Sequence, residues 1–239
     1  MGFETVARTH VGCRRKVNED ALLARPDLGL WAVADGMGGH HAGDVASALV
    51  IEQLASSSPG LRLMERIEEA RRRMQAANGR LIALARAEDA QRTIGSTVAA
   101  LLLGDGGFAC LWAGDSRGYR ARGGALSQLT RDHSLVQELV DLGEITAAEA
   151  RDHPNANVIT RAVGANPGLE IDVVQGEVRV GDVFLLASDG LTRLASEEDL
   201  LNALEASDLE AAAERLVDLC LQRGAPDNLS FIMLRVRPD

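Results

Sequence analysis

Apolar runs of strand length end at an aspartate three times in this chain, at Asp35, Asp115 and Asp189. A fourth aspartate, Asp227, comes directly before another apolar run. When strands are neighbours in a sheet or a sandwich, the residues at their ends can meet at a common edge. The recurrence therefore predicts a fold in which strands carry several carboxylates to one place.

The stretch after Asp35 is rich in glycine, with Gly36, Gly38 and Gly39 in the next four positions. Such a stretch lets the backbone turn tightly and approach a ligand closely. Asp-Gly after a strand is also the commonest short turn signal, so an isolated pair would favour a simple hairpin turn. The later repeats of the pattern favour a ligand site instead.

The remaining periodicity predicts strands and helices in turn. Apolar runs predict strands at residues 3–11, 21–24, 28–34, 95–103, 108–114, 118–122, 169–178, 182–187 and 228–236. Spacings of three and four and N-capping patterns predict helices at residues 42–55, 61–87 and 134–142, and others beginning near residues 146, 196 and 208.

We interpret this order as a single domain of residues 1–239, an α/β sandwich of the α+β type with two sheets and flanking helices. The glycine-rich residues 104–107 predict a hairpin turn. The strands between residues 95 and 122 are then expected to form one antiparallel meander. Residues 131–160 break the strand rhythm and predict a helical flap inserted into the sandwich.

Composition limits the class of partner. The 239 residues carry a net charge of −10, which argues against a nucleic-acid or anionic membrane surface. The three cysteines are widely spaced without a metal-ligand pattern and predict reduced thiols. Because the most apolar run, residues 98–103, is far too short to cross a bilayer, we expect a cytoplasmic protein.

Carboxylates brought together at one edge would repel one another unless a cation lies among them. Glu19 and Asp20, which lie between two predicted strands, extend the set. Oxygen ligands without a His or Cys cluster suit Mg²⁺ or Mn²⁺, and two such ions about 3.5–4 Å apart typically activate a bridging water. The spacing around Asp35 fits neither an EF-hand nor a dinucleotide-binding loop.

Six short motifs in order resemble those of the metal-dependent Ser/Thr protein phosphatases of type 2C, in their bacterial stand-alone catalytic form. The resemblance covers essentially the whole chain. The motifs are Arg15-x-x-Asn18-Glu19-Asp20, Asp35-Gly36-Met37-Gly38-Gly39-His40, Gly95-Ser96-Thr97, Gly114-Asp115-Ser116-Arg117, Ser188-Asp189-Gly190 and Asp227-Asn228-Leu229-Ser230.

The resemblance implies a four-layer αββα sandwich with a centre for two Mn²⁺ or Mg²⁺ ions at one edge. Asp35 would bridge both ions, and the carbonyl of Gly36 and a water held by Glu19 would complete one of them. Asp189 and Asp227 would bind the other. A further residue, Asp20, would orient metal-bound water.

Two more roles follow from the resemblance, each with an alternative. Arg15 would grip the substrate phosphate, where the alternative is a solvated member of the basic run at residues 14–16. Asp115 would help Asp189 to hold a third, loosely bound ion. The alternative for Asp115 is a salt bridge to Arg117 or to another arginine.

One position departs from the family pattern. Many eukaryotic members have a His two residues after the Asp of the glycine motif, thought to protonate the leaving group, whereas this chain has Met37. His40, three residues further on, is the candidate for the general acid. A lone surface His is more often a bystander, so that alternative stays open.

The resemblance implies hydrolysis of phosphoserine and phosphothreonine in proteins by in-line attack of a metal-bridging hydroxide, without a covalent phosphoenzyme. The expected partners are a Ser/Thr protein kinase and its substrates, and the expected state is a monomer with no nucleic acid and no membrane. Two other hypotheses are a catalytically silent phosphoprotein-binding module and a two-metal nuclease. The intact carboxylates argue against the first, and the acidic net charge argues against the second.

Overall fold

The computed structural model describes residues 2–38, 42–88 and 93–238. Its strands are β1 (Gly2–His10), β2 (Asp20–Arg25), β3 (Leu30–Met37), β4 (Gly95–Ser96), β5 (Val98–Gly104), β6 (Gly107–Ala113), β7 (Arg117–Arg122), β8 (Ala125–Gln128), β9 (Asp172–Glu177), β10 (Val183–Ala187) and β11 (Leu229–Arg237). Its α-helices are α1 (Ala42–Ala55), α2 (Leu63–Glu88), α3 (Leu135–Asp141), α4 (Ala147–Arg151), α5 (Asp189–Thr192), α6 (Glu197–Glu205) and α7 (Leu209–Gln222).

The strands form two antiparallel sheets. One has the order β1-β11-β10-β7-β8, and the other has the order β2-β3-β5-β6-β9 with the short β4 paired to β3. Helices α1 and α2 pack on the outer face of the second sheet, while α6 and α7 pack on the outer face of the first. The predicted four-layer αββα sandwich is confirmed.

Strand alternation divides the apolar side chains between the layers, as β3 illustrates. Trp31 and Val33 lie in the core between the two sheets. The intervening Ala32 and Ala34 belong to the core under α1 and α2. Since successive side chains of a strand point to opposite faces, the next inward position after Val33 is Asp35. The same alternation that builds the core thus aims this carboxylate between the sheets.

Helix α2 has one apolar face, as the spacing of its apolar residues predicted. Ile67, Ala70, Met74, Ala77 and Leu81 recur at intervals of three and four, and all five are buried. None of the helices in the described part of the chain is both long and apolar enough to cross a membrane.

The predicted meander between residues 95 and 122 is wrong in one respect. β5 and β6 do form a hairpin, whose Asp105 and Gly106 have the positive φ angles of 52° and 75° that a tight two-residue turn requires. β7, however, pairs with β10 and β8 in the other sheet. The connection at Gly114–Ser116 crosses between the sheets, and a period of two does not reveal which sheet a strand joins.

β3 also continues beyond the predicted end at Asp35. Gly36 and Met37 pair with Ser96 and Gly95 of β4, so the strand does not end at Asp35. The cause is β4, whose register places Ser96 opposite Gly36 and so gives β3 a partner strand beyond Asp35. The short helix α5 after Ser188 was also not predicted.

Two short helices lie in the predicted flap, residues 131–160. Ser134 caps α3, and Thr146 and Glu149 form the predicted capping box of α4. A bridge between Ser134 and Ile159 closes the segment at its base. Its role as a flap over the site stays a prediction.

An aromatic pair spans the two sheets and gives a test of the sandwich core. Phe184 of β10 and Phe108 of β6 have ring centroids 5.3 Å apart, and Phe184 is 1% exposed. We expect Phe184→Ala to lower the free energy of unfolding by about 3–5 kcal/mol, because it leaves a cavity between the sheets. Urea denaturation measures this loss.

Val180→Ala is the control for this substitution, since Val180 is 57% exposed. Its effect should stay within about 0.5 kcal/mol. Equal losses in the two variants would contradict the placement of Phe184 in the central core.

Candidate active site

Two carboxylates face each other at the end of the second sheet. Asp20 of β2 is paired with Asp35 of β3 in the antiparallel register. Val33 stands two residues before Asp35, and Leu22 stands two residues after Asp20. Both side chains contact the core between the sheets. Both aspartates therefore project from the same face, at the open end of the central core.

Hydroxyl groups from the first sheet support Asp20. Ser188, at the end of β10, donates to Asp20 Oδ2 over 2.9 Å. Ser230 of β11 donates its backbone N–H to Ser188 Oγ over 3.1 Å, and its own Oγ lies 2.8 Å from Thr9 Oγ1. A polar layer thus separates the carboxylates from the apolar core.

The backbone of Asp35 is fixed by the residues of the Gly95-Ser96-Thr97 motif. Asp35 donates its N–H to Thr97 Oγ1 over 3.0 Å. Its carbonyl accepts from Ser96 Oγ at 3.0 Å and from the Thr97 N–H at 2.8 Å. These bonds hold Asp35 at one position on the strand end.

Asp189 and Asp227 come from the first sheet. Asp189 begins α5 directly after β10, and Asp227 stands two residues before β11. The two segments are tightly packed, because a Cβ on Gly190 would lie 1.9 Å from the carbonyl oxygen of Asn228. Glycine is therefore required beside Asp189.

The side chain of Asn228 ties the loop that carries Glu19 to β11. Its Oδ1 accepts from the Glu19 N–H at 2.8 Å, and its Nδ2 donates to the carbonyls of Val11 and Val17, both at 3.0 Å. Asn228 is buried. The amide thus satisfies three backbone groups of one loop with a single side chain.

Glu19 and the Gly36 carbonyl lie side by side at the start of α1. A Cβ built on Gly43 would be 2.5 Å from Glu19 Oε1 and 2.8 Å from the Gly36 carbonyl oxygen. The absence of a side chain at Gly43 therefore leaves room for two oxygen ligands. This placement agrees with their expected roles at one ion.

Burial and mutual repulsion raise the pKa of several of these aspartates. Desolvation raises the pKa of Asp20 to about 7, with Asp189 and Asp227 adding repulsion. Desolvation likewise raises the pKa of Asp115 to about 7. The pKa of Asp35 lies well above its usual range, and that of Asp189 is also raised, again chiefly through burial.

The donor set fits a pair of hard divalent cations. Asp20 Oδ1 is buried and has no hydrogen-bond partner among the described residues, so a water or ion is needed to satisfy it. Carboxylate and carbonyl oxygens are the ligands that Mg²⁺ and Mn²⁺ prefer. Within the described residues no three His, Cys, Asp or Glu side chains already form a group ready to hold an ion.

Arg15 lies at the rim of the carboxylate cluster. Its side chain is 50% exposed, and Nη2 donates to Asp227 Oδ2 over 2.7 Å. Arg14 and Lys16 are exposed too. The contact with Asp227 distinguishes Arg15 from a solvated basic run and leaves most of its guanidinium donors for an incoming anion.

Asp115 has a different neighbour from the other carboxylates. It is buried, and its Oδ2 lies 3.8 Å from Arg193 Nη2. Arg117, the first partner considered for it, instead forms a bidentate pair with Asp132, with N–O distances of 2.7 and 2.9 Å. The arginine that pairs with Asp115 in the described residues is thus Arg193, and the role of Asp115 at a third ion stays a prediction.

His40, the predicted general acid, lies outside the described residues. The other predicted site residues are all described: Asp20, Asp35, Asp115, Asp189 and Asp227 converge at one end of the sandwich, with Glu19, Gly36 and Arg15 beside them.

Sequence reasoning missed the residues that support the carboxylates. Ser188, Ser230, Thr97 and Asn228 belong to the six motifs, so their place beside an aspartate in the sequence was the available indication. Arg193 follows Asp189 by four residues, but its other partners, Asp115 and residues 156–157, are distant in the sequence.

Comparisons with known proteins agree with this geometry. The family model described as Protein phosphatase 2C matches residues 12–230. The serine/threonine protein phosphatase PstP of Mycobacterium tuberculosis is 40% identical over 233 residues, which is 96% of this chain and 44% of PstP. The chain thus spans less than half the length of that relative.

Two further proteins are similar to this chain, and each similarity covers almost the whole length of both chains. The serine/threonine phosphatase Stp of Listeria welshimeri is 33% identical over 235 residues, which is 95% of this chain and 93% of Stp. A crystal structure of the PstP catalytic domain in complex with two manganese ions superposes with a TM-score of 0.86 at 37% identity, covering 99% of each chain.

The raised pKa values predict that the metal-free protein loses stability as the pH rises. The folded protein binds more protons than the unfolded chain between about pH 4, the ordinary aspartate pKa, and about pH 7, the folded pKa of Asp20 and Asp115. The contribution of these two groups to the free energy of unfolding therefore falls over that range. We expect the Tm of the metal-free protein to be about 2–4 °C lower at about pH 7.5 than at about pH 5.5.

Circular dichroism melts measure the effect. Mn²⁺ should restore the Tm at the higher pH, because a cation compensates the ionised carboxylates. Asp20→Asn is the matched variant and should reduce the pH dependence of the metal-free protein. A metal-free Tm that rises over the same interval would contradict the repulsion at the site.

The space at Gly43 predicts a second effect. We expect Gly43→Ala to weaken Mn²⁺ binding at least about tenfold, because its Cβ would overlap Glu19 Oε1 and the Gly36 carbonyl. Gly79→Ala in α2 is the control, since a Cβ there meets nothing within 4 Å. Calorimetric titration with Mn²⁺ measures both, and equal affinities would show that these oxygens do not bind an ion.

Proposed function

This chain belongs to the protein phosphatase 2C family, and from that premise we propose that it hydrolyses phosphoserine and phosphothreonine in proteins. The observation that carries the proposal is the convergence of buried, mutually repelling carboxylates at one end of the sandwich. The names of its relatives PstP and Stp support the reaction and the substrate class.

We propose two ions, Mn²⁺ or Mg²⁺, as the cofactor. Asp35 would contribute to both ions, the Gly36 carbonyl and a water held by Glu19 to one of them, and Asp189 and Asp227 to the other. The two manganese ions of the PstP structure support the number. When bound, such ions would polarise the phosphate and lower the pKa of a water between them. The third ion expected at Asp115 would have to displace Arg193.

Side chains of the protein itself would bind the phosphate, hold a water and protonate the leaving oxygen. Arg15 would release Asp227 and bind two phosphate oxygens through its planar guanidinium. Asp20 would hold a water at its unpartnered Oδ1, while Ser188 keeps its Oδ2 fixed. His40 remains our proposal for the group that protonates the leaving oxygen.

We further propose that residues 1–239 act as one catalytic domain with residues 131–160 as its flap. The expected setting is the cytoplasm, where a Ser/Thr protein kinase would supply the phosphorylated substrates. The net charge of −10 favours protein substrates over nucleic acid. A monomer is sufficient for the site, because every predicted ligand comes from one chain.

A phosphatase assay on a phosphothreonine peptide tests the function. We expect phosphate release with Mn²⁺, none after chelation, and a loss of at least about 1,000-fold in kcat for Asp35→Asn, since one carboxylate would serve both ions. Asp27→Asn, a change on an exposed pair with Arg25, is the matched control and should keep full activity.

The alternatives give different results in the same assay. A silent phosphoprotein-binding module would bind the peptide without releasing phosphate, and a nuclease would cleave a DNA or RNA oligonucleotide instead. Substantial activity in folded Asp35→Asn would remove the two-metal mechanism.

A further inference from the structure

Arg193 lies where a third cation would lie. It follows α5 directly, and its Nε is 3.0 Å from Asp189 Oδ2 while its Nη2 is 3.8 Å from Asp115 Oδ2. The guanidinium thus stands between the two carboxylates that the resemblance assigns to a third ion. In residues 2–38, 42–88 and 93–238, this is the only ion pair of Asp115.

The same guanidinium also contacts the flap. Nη2 donates to the carbonyl of Ala156 over 3.2 Å, and Nη1 donates to Oδ1 of Asn157. At the other end of the flap, His133 donates its N–H to the Gly114 carbonyl over 3.0 Å, directly beside Asp115. The flap is therefore held to the site from both of its ends.

The neighbouring arginines do not share this arrangement. Arg117 donates to Asp132. Arg15, on an exposed loop, donates to Asp227 and has no hydrogen bond to the described flap residues. Arg193 alone among these three joins the carboxylates to residues 156–157. A guanidinium group suits this role, because its N–H donors point in several fixed directions at once.

We propose that Arg193 is a resident cation that takes the place of a third metal ion and fastens the flap to the site. The proposal rests on the two-metal phosphatase function proposed above. Arg193 would compensate Asp115 and leave Oδ1 of Asp189 for one of the two ions. It is a positioning residue, since it acts on the flap and on the carboxylates.

Metal stoichiometry tests the first part. In crystals soaked with Mn²⁺ we expect anomalous scattering from two ions in the wild type. In Arg193→Asp, where a carboxylate replaces the cation, we expect a third ion that contacts Asp115. Arg179→Ala is the control, because Arg179 is exposed and pairs only with Glu177. It should bind two ions.

Hydrogen exchange tests the second part without reference to activity. The backbone N–H groups of residues 153–160 should exchange about tenfold faster in Arg193→Ala than in the wild type, because two charge-assisted hydrogen bonds to the flap are lost. Asn157→Ala should increase the same exchange while leaving the ion count at two. Arg179→Ala should change neither.

A third ion on Asp115 in the wild type, or unchanged exchange in Arg193→Ala, would overturn the proposal. Both measurements are independent of turnover, so a failure of the phosphatase assay would not be mistaken for a failure here. Conversely, an active wild type with three ions would keep the proposed function and remove the role of Arg193.

Discussion

Repulsion among buried carboxylates is the constraint on which the rest of this site depends. Asp20 and Asp35 face each other across a strand pair, and Asp189 and Asp227 approach from the other sheet. Folding brings these groups together only because the sandwich core is large enough to offset the cost. The cations proposed for this site would compensate that repulsion.

Much of this arrangement is predictable because two simple rules coincide. Apolar alternation places Asp35 on the inward face of β3, and the motifs mark which strand ends belong together. Local rules fail where tertiary pairing decides. The partner sheet of β7 and the extension of β3 onto β4 depend on register with distant strands, which the period of a single segment does not contain.

The contacts of Arg193 are a second case in which a local sequence pattern does not reveal distant partners. Its spacing of four residues from Asp189 is readable in the sequence, but its contacts with Asp115 and Asn157 come from the fold. The hydroxyl layer of Ser188 and Ser230 is a further example, since only the facing sheets bring it under Asp20. The motifs predict the candidate ligands, whereas the contacts that support those ligands result from packing.

The bonds of Asn228 set the order in which the site can be completed during synthesis. This residue fixes the loop of Glu19, yet it precedes β11, which inserts between β1 and β10 in the middle of its sheet. A nascent chain that ends before residue 227 has neither Asp227 nor the Asn228 side chain that fixes Glu19. The cluster of carboxylates can therefore be completed only after the segment that carries Asp227 and Asn228 has been synthesised.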